Sequence, residues 1–514
     1  MSKLVSVAEM IAVEKAADAD GLSYEAMMEN AGLELAKSIT AHSQGIEKSL
    51  FALVGRGNNG GDTLVACAHL AEKGWEVGVF LQAGREDDQY VEKVRMNGGT
   101  VYRSKTKDES SQLAKLVEQH AVLLDGLLGT GVKLPLRNEA ARLLSQAKGA
   151  LAQMNNPPMV IAVDCPSGLD CDSGKIAAEA LQADLTVCMA AVKRGMLTKT
   201  AGGALGEIDV VDIGLPEDLP EWAGIKRFVV DQDWVYANSP FRPLDSHKGT
   251  FGKALIIAGS KQFPGAALLA GQAAARSGAG LISMAVPESI REAIVGNLPE
   301  AIWISLDHSQ ELISGQSIGA ISNELEKVDA TLIGPGFGMG EETAGFIGKF
   351  IKKKNISNLV IDADALKLLA GFENWHDEIP IESVLTPHPG EMAILTGLSK
   401  EKIQKERLEI AERFAVKWNQ VVLLKGAFTV IAAFDGRTAL LPISTSSLAT
   451  AGTGDVLAGL ITGLLAQGLK PFEAACAGAW LHGMAGLNAA NRIGSDAGVI
   501  ASDLLVEFPK LLNH

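Results

Sequence analysis

Cysteine is rare in this chain, with five residues in 514, and Cys67, Cys165, Cys171, Cys188 and Cys476 fall in no paired, metal-like spacing. That argues against a zinc module or a disulfide scaffold and fits free thiols in a reducing compartment. Basic charge is also short: 46 Lys and Arg against 61 Asp and Glu leave a net charge of −15. A general nucleic-acid or anionic-membrane binder is thereby disfavoured. Long apolar runs are missing too. The stretch from Val456 to Leu469 is broken by Gly and Gln and is too short to span a bilayer. The N-terminus carries Glu9, Glu14 and Asp18 where a signal peptide needs a basic and then an apolar region. Short-period repeats and low-complexity tracts are absent. These absences lead to the expectation of a cytoplasmic protein with no nucleic-acid or membrane partner.

What is present is a globular composition, 47% hydrophobic and 21% charged, on a chain long enough for two to four domains. Ser6 to Glu9 fits a capping box opening a first helix. A second helix is expected from Tyr24, with Tyr24, Met27, Ala31, Leu35 and Ile39 on one buried stripe. Strands near 50–54, 75–81, 121–124, 160–163 and 185–189 then alternate with helices, one of them expected over 63–73. That rhythm implies a parallel sheet with helices on both faces. In such sheets ligands bind beyond the carboxyl ends of the strands.

Three polar loops follow strands in this half. The first, Gly55 to Asp62, contains GxGxxG but has no acidic residue about 20 positions on and no Gly-Lys-Ser/Thr ending, so it is neither a complete dinucleotide fingerprint nor a P-loop. The second runs from Asp125 to Pro135 and the third from Asp164 to Asp170. Each alone is compatible with turn chemistry. Together, Asn59, Asp125 and Ser167 offer an all-oxygen set suited to a hard cation. Asp164 is a candidate acid or base, and Lys193 a candidate cationic partner, although a lone lysine after a strand is usually solvated.

Prolines at 216, 220, 240 and 243 interrupt the pattern, which places domains at 1–215 and 241–514 with a junction over 216–240. The second half restarts the α/β rhythm and ends in mostly helical sequence to His514. Its key stretch is Thr450 to Gly459. Gly452 and Gly454 flank Thr453 ahead of an apolar helix, so free amides and a positive dipole end favour an anion. Asp455 sits in that first turn, where it is expected to stay ionised and act as a weak base.

With these motifs in view, the chain closely resembles the bifunctional NAD(P)H-hydrate repair enzymes, over nearly its whole length. GNNGGD at Gly57 to Asp62 and DxPSGLD at Asp164 to Asp170 mark the epimerase half; HKGxFG at His247 to Gly252, TPHPGE at Thr386 to Glu391 and AGTGDVLAG at Ala451 to Gly459 mark the dehydratase half. The second half is also similar to the ribokinase superfamily, whose kinases commonly carry Asn-x-x-Glu where this chain has His388 to Glu391.

The resemblance implies a Rossmann-like three-layer α/β/α domain followed by a ribokinase-like α/β/α domain. The implied substrates are NADHX and NADPHX, epimerised by the first domain, with ADP-dependent dehydration of the S form to NAD(P)H by the second, releasing AMP and phosphate. For the epimerase it implies Asp164 and Lys193 as catalytic groups and K⁺ on Asn59, Asp125 and Ser167. Substrate is then held by Asn58, Asn59, Gly60, Gly61, Asp62 and Asp164 and by Gly129, Thr130, Gly131, Val132, Lys133, Leu134 and Pro135. For the dehydratase it implies Asp455 as base, hydrate on Ala266, Gly336, His388 and Asp455, and nucleotide on Lys425, Gly426, Ala427, Phe428, Thr429, Gly452 and Gly454. Mg²⁺ would sit on Glu391, through water, and a homo-oligomer is expected. Departures from the family pattern are Thr63 where epimerases usually carry Gly, Arg56 at a position of small residues or Pro, and Cys165 in place of an aliphatic. A kinase for a small hydroxymethyl compound fused to a nucleotide-binding module is the alternative, and a non-catalytic scaffold role for the first half is a further one.

Overall fold

The computed structural model describes residues 2–82, 84–85, 88–103, 109–309 and 311–512, so Met1 and His514 lie outside the described residues. The chain divides into two compact units, Ser2–Arg227 and a second beginning at Phe228. The division falls inside the expected junction, which is itself structured, with helices Pro220–Ala223 and Gln232–Asn238 around a strand at Arg227–Val229.

In the first unit the strands lie side by side as Thr100–Arg103, Glu76–Leu81, Ser49–Val54, Val122–Gly126, Met159–Val163, Leu185–Met189 and Glu207–Val211, all parallel. Ser49–Val54 and Val122–Gly126 are buried along their whole length, as sheets covered on both faces require. The chain leaves Ser49–Val54 in one direction and returns on its other side at Val122–Gly126, which puts the topological switch point between those two strands. The first two polar loops start at their carboxyl ends. The expected capping box forms: Ser6 accepts from Glu9 and Glu9 from Ser6, opening helix Val7–Ala19. In helix Tyr24–His42, Met27, Ala31, Leu35 and Ile39 are buried as expected, but Tyr24 is 44% exposed because it stands in the first turn, beyond the packed stripe.

The second unit repeats the architecture. Its order is Ile302–Leu306, Leu281–Pro287, Lys253–Ile257, Ala330–Ile333, Leu359–Ile361, Val384–Leu385 and Val421–Leu424, parallel throughout, with Val430–Ala432 and Thr438–Leu440 added antiparallel at one side. Helix Thr453–Ala466 is buried almost all round, which its uniformly apolar sequence demands. Glycines make this possible: a Cβ at Gly459 would stand 2.1 Å from the Ala270 carbonyl oxygen, and one at Gly463 2.0 Å from Ser277 Oγ. The backbone of the flanking helix Pro264–Arg276 therefore approaches closely along the middle and last turns of Thr453–Ala466. Among the described residues no helix is long and apolar enough to cross a membrane.

Candidate functional sites

In the first unit, helix Asn58–Glu72 begins at Asn58, not Thr63. The glycine-rich loop is thus largely the first turns of a helix, with Gly57 as N-cap, and its free amides face outward from the switch point. Arg85 buttresses it from below, donating to the carbonyls of Gly55 at 2.9 Å and Gly57 at 2.6 Å. Thr63 is fully buried and donates to the Asn59 carbonyl at 2.6 Å. Its bulk fits because Gly126 opposite has no side chain; a Cβ there would lie 1.9 Å from Thr63 Oγ1.

The second and third loops meet the first. Ser167 Oγ donates to Asp125 Oδ1 at 2.5 Å and its amide to Oδ2 at 2.9 Å, while Leu128 N–H donates to Ser167 Oγ at 2.8 Å. Asn59 Nδ2 donates to the Leu128 carbonyl at 3.0 Å. Asn59 Oδ1 is left buried with no hydrogen bond, an oxygen that a hard cation would satisfy. Burial pushes the Asp125 carboxyl up, opposed by the Ser167 donors. The three residues expected to bind a cation therefore converge, and their chemistry fits one. Gly129 closes on the same cluster, its Cβ position 3.2 Å from Asn59 Cβ, whereas Gly131, Lys133 and Pro135 remain exposed.

Asp164 has φ of +60°, a left-handed conformation that Asp tolerates better than most residues. The turn aims its carboxylate at the adjacent strand, where Oδ1 accepts from Met189 N–H at 3.0 Å and from Lys193 Nζ. Lys193 is 1% exposed, unlike the solvated lysine that its position suggests. It is held in strand Ala191–Lys193, which pairs with Ser2–Val5. Burial alone would lower its ammonium, but the Asp164 carboxylate outweighs that and holds it raised. Sequence reasoning missed Glu14. Burial, and then Asp164, push its carboxyl up. Asp62 is driven well above the usual range by burial, then by Asp164 and Glu14, against Lys193 and Arg85. Asp164, Glu14 and Asp62 thus gather within electrostatic reach of one buried ammonium.

In the second unit, five strand-following loops come together. Gly452 caps helix Thr453–Ala466 with φ of +90°, and a Cβ at Gly454 would lie 3.5 Å from Lys425 Nζ and 4.0 Å from Asp362 Oδ2. Asp362, absent from the sequence-derived set, is 1% exposed and accepts from Lys425 Nζ and Thr386 Oγ1, both at 2.7 Å. Burial opposes the charge on Lys425, but Asp362 and Glu391 hold its ammonium raised. Asp455 does not stay readily ionised as its helix position suggests. Burial, then the Asp362 carboxylate, push it up to about 7 against the pull of Lys425, because desolvation inside the unit exceeds the help of the helix dipole. A carboxyl in that range is poised to exchange a proton near neutral pH.

His388 is the N-cap of helix Pro389–Thr396: its Nδ1 accepts from the amides of Gly390 at 2.9 Å and Glu391 at 3.3 Å, and Glu391 Oε2 accepts from His388 N–H at 2.8 Å. With Nδ1 accepting, the neutral ring carries its proton on Nε2, 3.3 Å from Glu391 Oε1. Burial, and then Lys425, lower His388. Glu391 is raised to about 7 by burial, against Lys425 3.8 Å away. Gly336 abuts Ala266, with 2.8 Å between its Cβ position and Ala266 Cβ. Gly338 N–H donates to Asp364 at 2.8 Å, tying that loop to the Asp362 loop.

Beside this cluster lies a cavity of about 410 Å³ bordered by His388, Lys425, Gly426, Ala427, Thr429 and Gly454. Phe428 is not on its wall; at φ of +52° its side chain turns into the core. His482 is on the wall, although nothing in the sequence marked it. It stands on helix Pro471–Ile493 and its Nε2 is 2.8 Å from the Thr453 carbonyl. Burial lowers it to about 4, so it is a neutral donor to the turn that carries Gly454.

Comparison with known proteins follows this division. Residues 254–510 match the NAD(P)H-hydrate dehydratase family, and residues 24–195 match the family described as YjeF-related protein N-terminus. The bifunctional NAD(P)H-hydrate repair enzyme Nnr of Moorella thermoacetica is 36% identical over 99% of this chain and 97% of that protein. The enzyme of the same name from Salinibacter ruber is 35% identical over 96% of this chain and 92% of its own length. Among solved structures, the ADP/ATP-dependent NAD(P)H-hydrate dehydratase of Bacillus subtilis, co-crystallised with ATP and Mg²⁺, is 33% identical, covers 55% of this chain and 96% of its own, and has a TM-score of 0.48. By sequence along its whole length, the chain belongs to the family of bifunctional NAD(P)H-hydrate repair enzymes.

Proposed function

We propose that the first unit interconverts the R and S epimers of NADHX and NADPHX through Asp164 and Lys193. The second unit dehydrates the S epimer with ADP, giving NAD(P)H, AMP and phosphate. The observation that carries the reading is Asp455: a carboxylate raised to about 7 at the mouth of a glycine-lined helix start, beside the Lys425–Asp362 pair. The Gly452 to Gly454 turn would receive the transferring phosphoryl group, with Lys425 offsetting its charge. Asp455 would take the proton of the C6 hydroxyl as that oxygen attacks phosphorus. The phosphate ester then leaves with the C6–O bond electrons, the ring nitrogen lone pair assists, and C5 loses a proton. Gly426, Ala427 and Thr429 fit the nucleotide side of the cavity, while Ala266, Gly336 and His388 fit the hydrate side.

Among the described residues no group of three or more His, Cys, Asp and Glu could hold a metal ion. Mg²⁺ would therefore rest on Glu391 through water and on nucleotide phosphates, as it does where protein ligands are few, and would supply charge neutralisation. K⁺ would be held by Asn59, Asp125 and Ser167 and would fix the meeting of the three loops.

The test is incubation of a mixed R and S hydrate preparation with ADP and Mg²⁺. Complete recovery of reduced-nicotinamide absorbance with stoichiometric AMP and phosphate is expected. A stable phosphate ester would instead indicate a kinase. Epimerisation should also depend on K⁺. Replacing KCl by tetramethylammonium chloride is expected to slow it at least tenfold, and Ser167→Ala to raise half-saturating K⁺ about tenfold, the change expected for a lost ligand or outer-sphere partner. Equal rates in the two salts would remove the cation from the reading.

A further inference from the structure

A recess of about 500 Å³ in the first unit touches the sequence motifs only at Asn58. Its walls are Tyr24, Glu25, Met28, Asn58, Gln89 and Tyr90. Tyr90 is only 5% exposed, yet its hydroxyl makes no hydrogen bond, with the Gln89 amide its polar neighbour along the chain. A buried phenol left unpaired is costly, and a ligand in the recess would relieve it. Tyr24 presents an exposed ring at the start of its helix. Gln89 Nε2 donates to Glu25 Oε1 at 3.1 Å, which leaves the amide oxygen of Gln89 able to accept.

The position of the recess says what the ligand is. Asn58 opens the glycine-rich turn, and Met28 lies against its middle: a Cβ on Gly61 would meet Met28 Sδ at 2.4 Å. At the other end of the turn, Asp62 is within electrostatic reach of Asp164 and Lys193. A dinucleotide whose phosphates follow residues 58–62, with its hydrated ring at Asp164, therefore brings its second base to Tyr24 and Tyr90.

We infer that this recess binds the adenine end of the dinucleotide hydrate, with the purine packed on Tyr24 and Met28, a ring nitrogen accepting from the Tyr90 hydroxyl, and the exocyclic amine donating to Gln89. The inference rests on the epimerase reading of this unit and makes Tyr24 and Tyr90 specificity determinants. The experiment compares epimerisation of the hydrate of NADH with that of the hydrate of reduced nicotinamide mononucleotide, which lacks adenosine, by the full chain and by Tyr24→Ala and Tyr90→Phe. Tyr24→Ala is expected to lower kcat/KM for the dinucleotide about tenfold, in the range of lost base–aromatic stacking, and Tyr90→Phe about threefold to tenfold, both through KM. The mononucleotide rates should shift less than twofold, which also reports that the variants are folded. Equal losses on both substrates, or no loss on either, would overturn the subsite while leaving the epimerase reading intact. Failure of the unaltered chain to epimerise either hydrate would overturn both.

Discussion

Asp455→Ala is expected to abolish ADP-driven recovery of NADH from the pure S hydrate, by about 10²- to 10⁴-fold as for loss of a general base, while epimerisation continues at its normal rate. The carboxylate is the group of the glycine-rich turn able to take the hydroxyl proton, and the turn itself survives the substitution because its geometry depends on Gly452 and on the close packing of Gly459 and Gly463. A pH dependence follows. A base acts when deprotonated, and Asp455 and Glu391 are both raised to about 7 around Lys425. As pH falls through about 7 the site gains protons and loses its base, so kcat/KM for dehydration should drop on the acid side. A flat profile from pH 8 to pH 6, or residual dehydration near the unaltered rate in Asp455→Ala, would remove Asp455 from this role.

The second large effect is expected of Asp164→Asn. Given a mixture of epimers and excess ADP, the unaltered chain should consume all of the hydrate, whereas the variant should stop when the S fraction present at the start is spent. The loss of epimerisation is expected to be about 10²-fold or more. The substitution also leaves the buried Lys193 ammonium without its counter-charge, a change that costs about 3–5 kcal/mol in comparable buried pairs. Stability and chemistry separate in the double variant Asp164→Leu with Lys193→Met, which removes both charges. Its unfolding midpoint should recover relative to Asp164→Asn, and its epimerisation should not. Epimerisation by Asp164→Asn at the normal rate would refute the assignment.

Much of both sites was legible because their residues lie in contiguous loops at strand ends. The candidate cation residues Asn59, Asp125 and Ser167, the glycine turn at Asp455 and the His388 to Glu391 loop all announce themselves by local composition. What was illegible depends on distance and desolvation. Asp362 stands in an unremarkable loop, and its contact with Lys425 spans 63 residues of sequence. His482 lies in the middle of an apolar helix, where histidine reads as packing. The helix-start rule for Asp455 described the dipole but had no access to burial, which reverses its effect here. Lys193 looked solvated since nothing local shows that Ser2–Val5 covers it. Periodicity alone places Tyr24 on the apolar stripe of its helix, but the first turn lies beyond the packing.

The cap formed by His388 also constrains what can stand beside it in the first turn. The ring's hydrogen-bonding work is done by Nδ1, which accepts from the amides of Gly390 and Glu391, and an asparagine amide oxygen could accept the same bonds. Either side chain can cap helix Pro389–Thr396. The imidazole does demand room, however: a Cβ on residue 390 would lie 2.6 Å from His388 Cε1. A larger residue at 390 would therefore push the ring away from the helix amides that it caps.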